Sequence, residues 1–398
     1  MKNRRKIQVI GSLILVLAGL LGLLGCGSPS SASDRNQADA LTGQETQTQS
    51  AGSLVYKESM KTEYASQFAV DYYEDGYVML TTKADGAQYL VVPEGAQTPE
   101  GLDDGVTVLQ RPLDHLYLVA TAAMDLFREL DAINCIRFSG QQEDGWYIDE
   151  AREAMQNGSM IYAGKYSMPD YELIVSEGCD LAIENTMITH SPEVLEKLAE
   201  FGIPSMIDYS SYEAHPLGRV EWIRFYGALL GRETEADAAF ERQTQILERV
   251  TQDETPTGQT VAFFYLTSNG TVNVRKTADY VPQMIGLAGG TYVFDALGSD
   301  TDHKSTVNMT MEEFYVKAKD ADCLIYNSTI DGELDTVDDL VAKSSMLRDF
   351  KAVQSGNVWC TTNDMYQHTM SAGAFIEDLH AIFTGDAAHE MTYIYPLK

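Results

Sequence analysis

Apolar and polar positions along the chain fall into distinct regimes. Residues 7–24 form an apolar run without a charge, broken by Gln8, Ser12 and glycines. Residues 28–52 carry Ser, Gln, Thr, Asp and Gly with almost no large apolar side chain, so this stretch reads as a disordered tether. From residue 67 a period-two pattern takes over. FAVDYY (68–73) and YVMLTT (77–82) flank Glu74-Asp75-Gly76, a hairpin turn signal, and YLVV (89–92) follows Asp85-Gly86. Residues 67–94 therefore read as a β segment.

Beyond residue 106 short apolar runs alternate with helical periods. Strands are expected at 106–109, 136–138, 181–183 and 204–207, and helices at 116–130, 169–177 and 191–201. This alternation predicts a parallel sheet covered on both faces. The rhythm then changes. Leu217, Val220, Ile223, Tyr226 and Leu230 keep the helical period, as do Ala236, Phe240, Leu247 and Val250, with no turn cluster between them. Pro216 suits a first helical position. A single helix of this length would span ~50 Å, enough to run from one lobe to the next. Gly231 is a possible break, and two consecutive helices are the alternative. After DETPTG (253–258) the alternation resumes, with strands at 261–265, 292–294, 323–326 and 358–360 and helices at 280–287, 311–319, 337–341, 346–353 and 371–383. The expected fold is α/β: two Rossmann-like lobes joined by a long bridging helix, with an extra N-terminal β-hairpin segment.

Composition narrows the function. The 398 residues hold 28 Lys+Arg against 59 Asp+Glu, a formal net charge of −31. Such acidity argues against nucleic acid, whose phosphates select basic surfaces. Cys26, Cys135, Cys179, Cys323 and Cys360 are scattered, without a CxxC pair, which argues against a structural zinc site. Cys135, Cys179, Cys323 and Cys360 lie in or beside expected strands and read as small core side chains.

The first residues are an address. Lys2, Arg4, Arg5 and Lys6 precede the apolar run, which ends in Leu23-Leu24-Gly25-Cys26. This is a secretory signal pattern. Its end resembles the bacterial lipobox, which implies that Cys26 becomes diacylated and N-terminal. Loss of residues 1–25 would take the net charge from −31 to −35. The body is then expected outside the cytoplasmic membrane, on its outer face, held through a lipid anchor only. The domain reading is a signal peptide at 1–25, a tether at 26–55, an N-terminal lobe at 56–210, a bridging helix at 211–253 and a C-terminal lobe at 254–398.

Taken together, this order resembles the iron-complex and vitamin B12 class of solute-binding lipoproteins of ABC transporters. YELIVSEGCDLAI (171–183) resembles the family's helix-then-strand passage, with Cys179 where Pro is usual. LEKLAEFGIP (195–204), TMEEF (310–314) with ADCLI (321–325), and DFKAVQSGNVW (349–359) resemble further family segments in the family's order. The resemblance covers roughly residues 100–385. It implies a ligand held between the lobes on loops at strand ends, with modest lobe motion. It also implies an ABC permease dimer with its cytoplasmic ATPase as partner, a small-molecule metal complex as ligand, and a monomeric protein without a resident cofactor or metal. A ferric siderophore is the first expectation, with haem and cobalamin next.

Polar or aromatic residues directly after strands are the expected ligand contacts. In the first lobe these are Arg111, Arg137, Tyr166, Asn185, Tyr209 and Tyr212. In the second they are Tyr265, Arg275, Asn327, Tyr366 and His368. Arginine forks suit carboxylate or catecholate oxygens, and aromatic walls suit chelates. By resemblance, Glu172 and Glu312 present one carboxylate per lobe to the permease, while Glu313 has the capping-box spacing to Thr310. An enzyme, either a chelatase or a hydrolase on the same body, is the alternative class. The chain has no GxSxG, HExxH, P-loop or strand-linked GxGxxG, so no catalytic residue is expected.

Overall fold

A computed structural model describes residues 53–252, 256–294, 297 and 305–398. The expected signal peptide, Cys26, nearly all of the tether and the first residues of the C-terminal lobe lie outside these. Among the described residues no helix is long and apolar enough to cross a membrane.

The first lobe is built on a parallel sheet in the order Ser205–Asp208, Leu181–Asn185, Leu116–Leu118, Ile136–Ser139, Ile161–Tyr162. Leu116–Leu118 corrects the expected helix over 116–130. Leu116, Tyr117 and Leu118 are all fully buried, because a central parallel strand is covered on both faces and loses its alternation. The helix that follows is only Met124–Glu129. The second lobe has Thr260–Leu266, Cys323–Tyr326 and Val358–Thr361 in parallel at its centre, and antiparallel strands at both edges.

The added β segment is larger than a hairpin. It is a sheet in the order Tyr56–Ser59, Phe68–Tyr73, Val78–Thr82, Gln88–Val92, Val106–Gln110. Asp75 and Gly76 take positive φ at its expected turn. Val106–Gln110 belongs to this sheet, paired in parallel with Gln88–Val92, and does not start the lobe sheet as expected.

The bridging segment is two helices, Pro216–Leu230 and Glu233–Thr251. Gly231 ends the first in the left-handed region, at φ 75°, where a side chain is strained. A Cβ on Gly227 would stand 2.5 Å from that of Ala236, so the two helices meet closely there. The first helix is buried almost all round, with apolar residues on every face. On one side Trp222 and Phe225 pack edgewise on Phe68 of the added sheet. Glu221 and Glu213, both buried, hold the segment leading into that sheet. Glu221 accepts from the backbone N–H of Glu63, Tyr64 and Ala65 at 2.7–2.9 Å, and Glu213 from those of Ser66 and Gln67 and from Trp222 Nε1. These bonds offset the cost of burying the two carboxylates. The second helix packs on the C-terminal helix Ala372–Thr384, where Gly373 admits Ile246 and Gln243.

Candidate functional site

The segment 364–371, after the strand Val358–Thr361, crosses from the second lobe to the first. Gln367 donates to Gly145 O at 2.7 Å and accepts from Tyr147 N–H at 2.9 Å. Thr369 donates to Ala122 O at 2.8 Å. The Met370 N–H donates to Asp125 Oδ2 at 2.7 Å, and Asp125 is fully buried. Arg128 closes the other side of that carboxylate, with Nε at 2.7 Å and Nη2 at 2.6 Å from Oδ1. Burial still pushes the Asp125 carboxyl up, against the pull of Arg128 and His368. His368 stands between acids of both lobes, 3.4 Å from Asp364 and 3.9 Å from Asp125, and the Asp364 contact raises its imidazole above the usual histidine value.

Behind this crossing lies a small pocket of about 30 Å³, walled by the start of Pro216–Leu230 and by the second lobe. Its apolar wall comes from Met284, Met365, Ala372 and Phe375, and its polar and aromatic wall from Arg219, Tyr280, Tyr366, His368 and Tyr393. The Arg219 guanidinium lies over the Tyr280 ring, 4.1 Å from its centroid. The Tyr366 hydroxyl is fixed by Arg275 and by Asn327 Nδ2 at 3.1 Å, and Arg275 also lies over the Tyr366 ring at 4.9 Å. Asp279 pairs with Arg275 at 3.6 Å and caps its helix at Val281 N–H. Four expected residues are thus brought together: Tyr366 and His368 line the pocket, and Arg275 and Asn327 support Tyr366.

The profile of the periplasmic binding protein family matches residues 144–365, more than half of the chain. The chain belongs to the periplasmic binding protein family. An uncharacterized lipoprotein of Methanocaldococcus jannaschii is 22% identical to this binding protein over 390 residues, covering 91% of the chain and 89% of the relative. A solved Fe3+-hydroxamate transport-system protein of Saccharomonospora viridis superposes with a TM-score of 0.54 at 19% identity, over 68% of this chain and 93% of that one. A periplasmic haem-binding protein of Vibrio cholerae does so with a TM-score of 0.54 at 16% identity, over 66% and 97%. These neighbours share the two-lobe α/β fold of this binding protein, and about a third of its chain lies outside the shared body.

The remaining expected contacts are not brought to the pocket. Arg111 donates from Nε to Leu229 O at 3.0 Å and from Nη2 to Ala228 O. It closes the C-terminus of Pro216–Leu230, whose last carbonyls have no partner within the helix. Arg137 binds Glu177 at 2.7–2.8 Å and the carbonyls of Gly158 and Ser159, stapling two surface turns. Asn185 caps the turn Thr186–His190 by accepting from Met187 N–H and donates to Val119 O. Tyr166 is half-buried against the outer core of the first lobe, around Tyr117 and Phe138. Tyr209 is buried and donates to Asp85, and the Tyr212 ring packs 5.2 Å from it. Tyr265 packs on the core of the second lobe. Strand ends are where both ligand loops and turn caps begin, so position alone does not separate the two roles.

Arg219, Tyr280 and Asp125 are not among the expected residues. Arg219 is one of three charged residues, with Glu221 and Arg224, in the helix Pro216–Leu230, so its sequence position alone did not single it out. Glu172 and Glu312 are both exposed, each in the first turn of a surface helix, Tyr171–Ser176 and Met311–Ala318. Thr310 and Glu313 form the expected capping box, which leaves Glu312 outside it.

Proposed function

We propose that this binding protein is the extracytoplasmic solute-binding component of an ABC importer, lipid-anchored at Cys26, that captures a bulky metal chelate and hands it to a permease dimer. A ferric siderophore is the ligand favoured. The observation that carries this reading is the pocket itself. Cationic and aromatic side chains converge on an apolar wall, directly behind the segment that joins the two lobes. The pocket itself is small, about 30 Å³, so it takes only a small group of a chelate, whose body lies toward the lobe junction. The family and the Fe3+-hydroxamate neighbour support the class of ligand. Haem is the second reading, favoured by the Vibrio cholerae neighbour, and cobalamin the third. The lipoprotein relative supports the anchor. A thermal-shift screen of the mature chain against ferric hydroxamates, ferric catecholates, haem and cyanocobalamin tests the proposal. A rise in Tm with a ferric siderophore alone is the expected result. Stabilisation by haem or cobalamin alone would move the assignment, and no response to any of them would oppose the chelate reading. An enzyme of the chelatase or hydrolase kind would instead turn over its ligand in the same samples.

A further inference from the structure

The parallel strands of the first lobe start level with one another: Leu181 pairs with Leu116, and Leu116 with Ile136. The residues just before them therefore meet along one edge of the sheet. Asp180 precedes Leu181–Asn185, and Asp114 and His115 precede Leu116–Leu118. A carboxylate oxygen of each aspartate and a ring nitrogen of His115 all lie within 4.8 Å of one another. Among the described residues no other three His, Cys, Asp or Glu side chains come together so closely. His115 Nδ1 stands 3.1 Å from Asp114 Oδ1. Two ligands each ~2.1 Å from one tetrahedral ion are ~3.4 Å apart, so this pair is already near the separation that a shared ion sets. Asp180 is fixed against the same stretch of chain, because its Oδ2 accepts from the Asp114 N–H at 3.1 Å and from the His115 N–H at 2.9 Å. A carboxylate has lone pairs beyond those two bonds. Neither aspartate is paired with a Lys or Arg among the described residues, so two negative charges stand together beside the imidazole. Asp114 is exposed and the other two are half-buried, which leaves the group open to an ion from solvent.

We propose that Asp114, His115 and Asp180 form a binding site for a divalent first-row transition-metal cation, Zn2+ above all, with water in the remaining positions. The imidazole nitrogen selects such a cation over Ca2+ and Mg2+, which take oxygen ligands, and the two carboxylates neutralise its charge. The site is separate from the solute pocket. It lies at the starting edge of the strands, and Leu181–Asn185 alone carries the sheet ~16 Å from there to the loops at the opposite edge. Asp114 and His115 belong to the link between Val106–Gln110 of the added sheet and Leu116–Leu118 of the lobe, whereas Asp180 belongs to the lobe itself. A bound ion therefore clamps that link to the lobe. Cys135 leads the next strand, but its side chain packs on the core and is not a ligand.

The test uses the mature chain, dialysed against EDTA and then titrated calorimetrically with Zn2+ and, separately, with Ca2+. Zn2+ binds as a single saturable equivalent and raises Tm. Ca2+ carries the same charge and does neither at equal concentration, which separates coordination from the general attraction of an acidic chain for cations. His115→Gln and Asp114→Asn each lose about ten-fold or more in Zn2+ affinity, with a metal-free Tm close to wild type. Asp180→Asn keeps an acceptor for the two N–H groups and loses the charge, so it folds and binds Zn2+ more weakly. Cys135→Ser binds as wild type. So does His389→Gln, which controls for the other histidine standing against a carboxylate, that of Asp378. Zn2+ affinity unchanged in both His115→Gln and Asp114→Asn, equal binding of Zn2+ and Ca2+, or binding lost in His389→Gln and kept in His115→Gln would overturn the proposal. None of these outcomes depends on which solute the pocket takes.

Discussion

The Met370 N–H of the second lobe donates to the Asp125 carboxylate of the first at 2.7 Å, and both groups are buried. This bond ties the lobes beside the pocket, and Arg128 and His368 complete its surroundings. Removing the carboxylate leaves the Met370 N–H and the Arg128 guanidinium without their acceptor. Asp125→Ala should destabilise the fold by about 3 kcal/mol or more, the range for breaking a buried ion pair from one side. Chemical denaturation measures it, and a loss below ~1 kcal/mol would show the bond to be dispensable.

The same junction carries a pH dependence. His368 faces Asp364 and Asp125, with Arg128 and the Tyr393 ring also against it. Its proton is held more tightly in the fold than in the unfolded chain. The stabilisation is complete below the ordinary histidine value of about 6.5 and is lost as pH rises through the raised folded value. Glu184 adds to the slope in the same sense. Both its oxygens are buried without a partner among the described residues, and burial lifts its carboxyl from 4.5 to about 8. Stability is therefore lost as pH rises from about 4.5 to about 8. Glu184→Gln should flatten this slope and be more stable than wild type at the upper end. A Tm–pH profile identical to wild type would contradict the assignment.

Arg111 separates a structural arginine from a ligand contact. Because it closes the C-terminus of Pro216–Leu230, Arg111→Ala should cost about 1–3 kcal/mol of stability and leave ligand affinity unchanged. Paired denaturation and binding measurements decide it, and a variant that is fully stable but does not bind would return Arg111 to the site.

Much of the architecture was legible because its periods were clean. The hairpin at Glu74-Asp75-Gly76, the parallel strands ending at Tyr326 and Thr361, and the Thr310–Glu313 box all follow local rules. Leu116–Leu118 was not legible as a strand, because burial on both faces erases the alternation that marks one. The break at Gly231 was visible only as a possibility. A glycine in a helical pattern becomes a terminus once it takes positive φ and a neighbour such as Arg111 takes the carbonyls. For the site, Tyr366 and His368, expected as contacts because they follow a strand, both stand in the pocket wall. Arg219 and Tyr280 come from distant segments and meet only in the folded chain.

Docking on the permease should depend on Glu172 and Glu312. Acids in a first helical turn gain ~0.3–1 kcal/mol from the macrodipole whatever else they do, so the double charge reversal costs little stability. Glu172→Arg with Glu312→Arg should keep ligand affinity and Tm near wild type and abolish uptake through the cognate permease, because steering and register across such a contact come from complementary charge. Normal uptake would remove these residues from docking, and lost binding would place them in the fold or the site.

The most direct measurement of the central claim is a fluorescence titration of the mature chain with a ferric siderophore, on wild type and on Tyr366→Ala. Tyr366 lines the pocket and is fixed by Arg275 and Asn327. The wild type should show saturable quenching, and Tyr366→Ala should lose most of the affinity while remaining folded. Saturable binding that is the same in both proteins would contradict the placement of the ligand in this pocket.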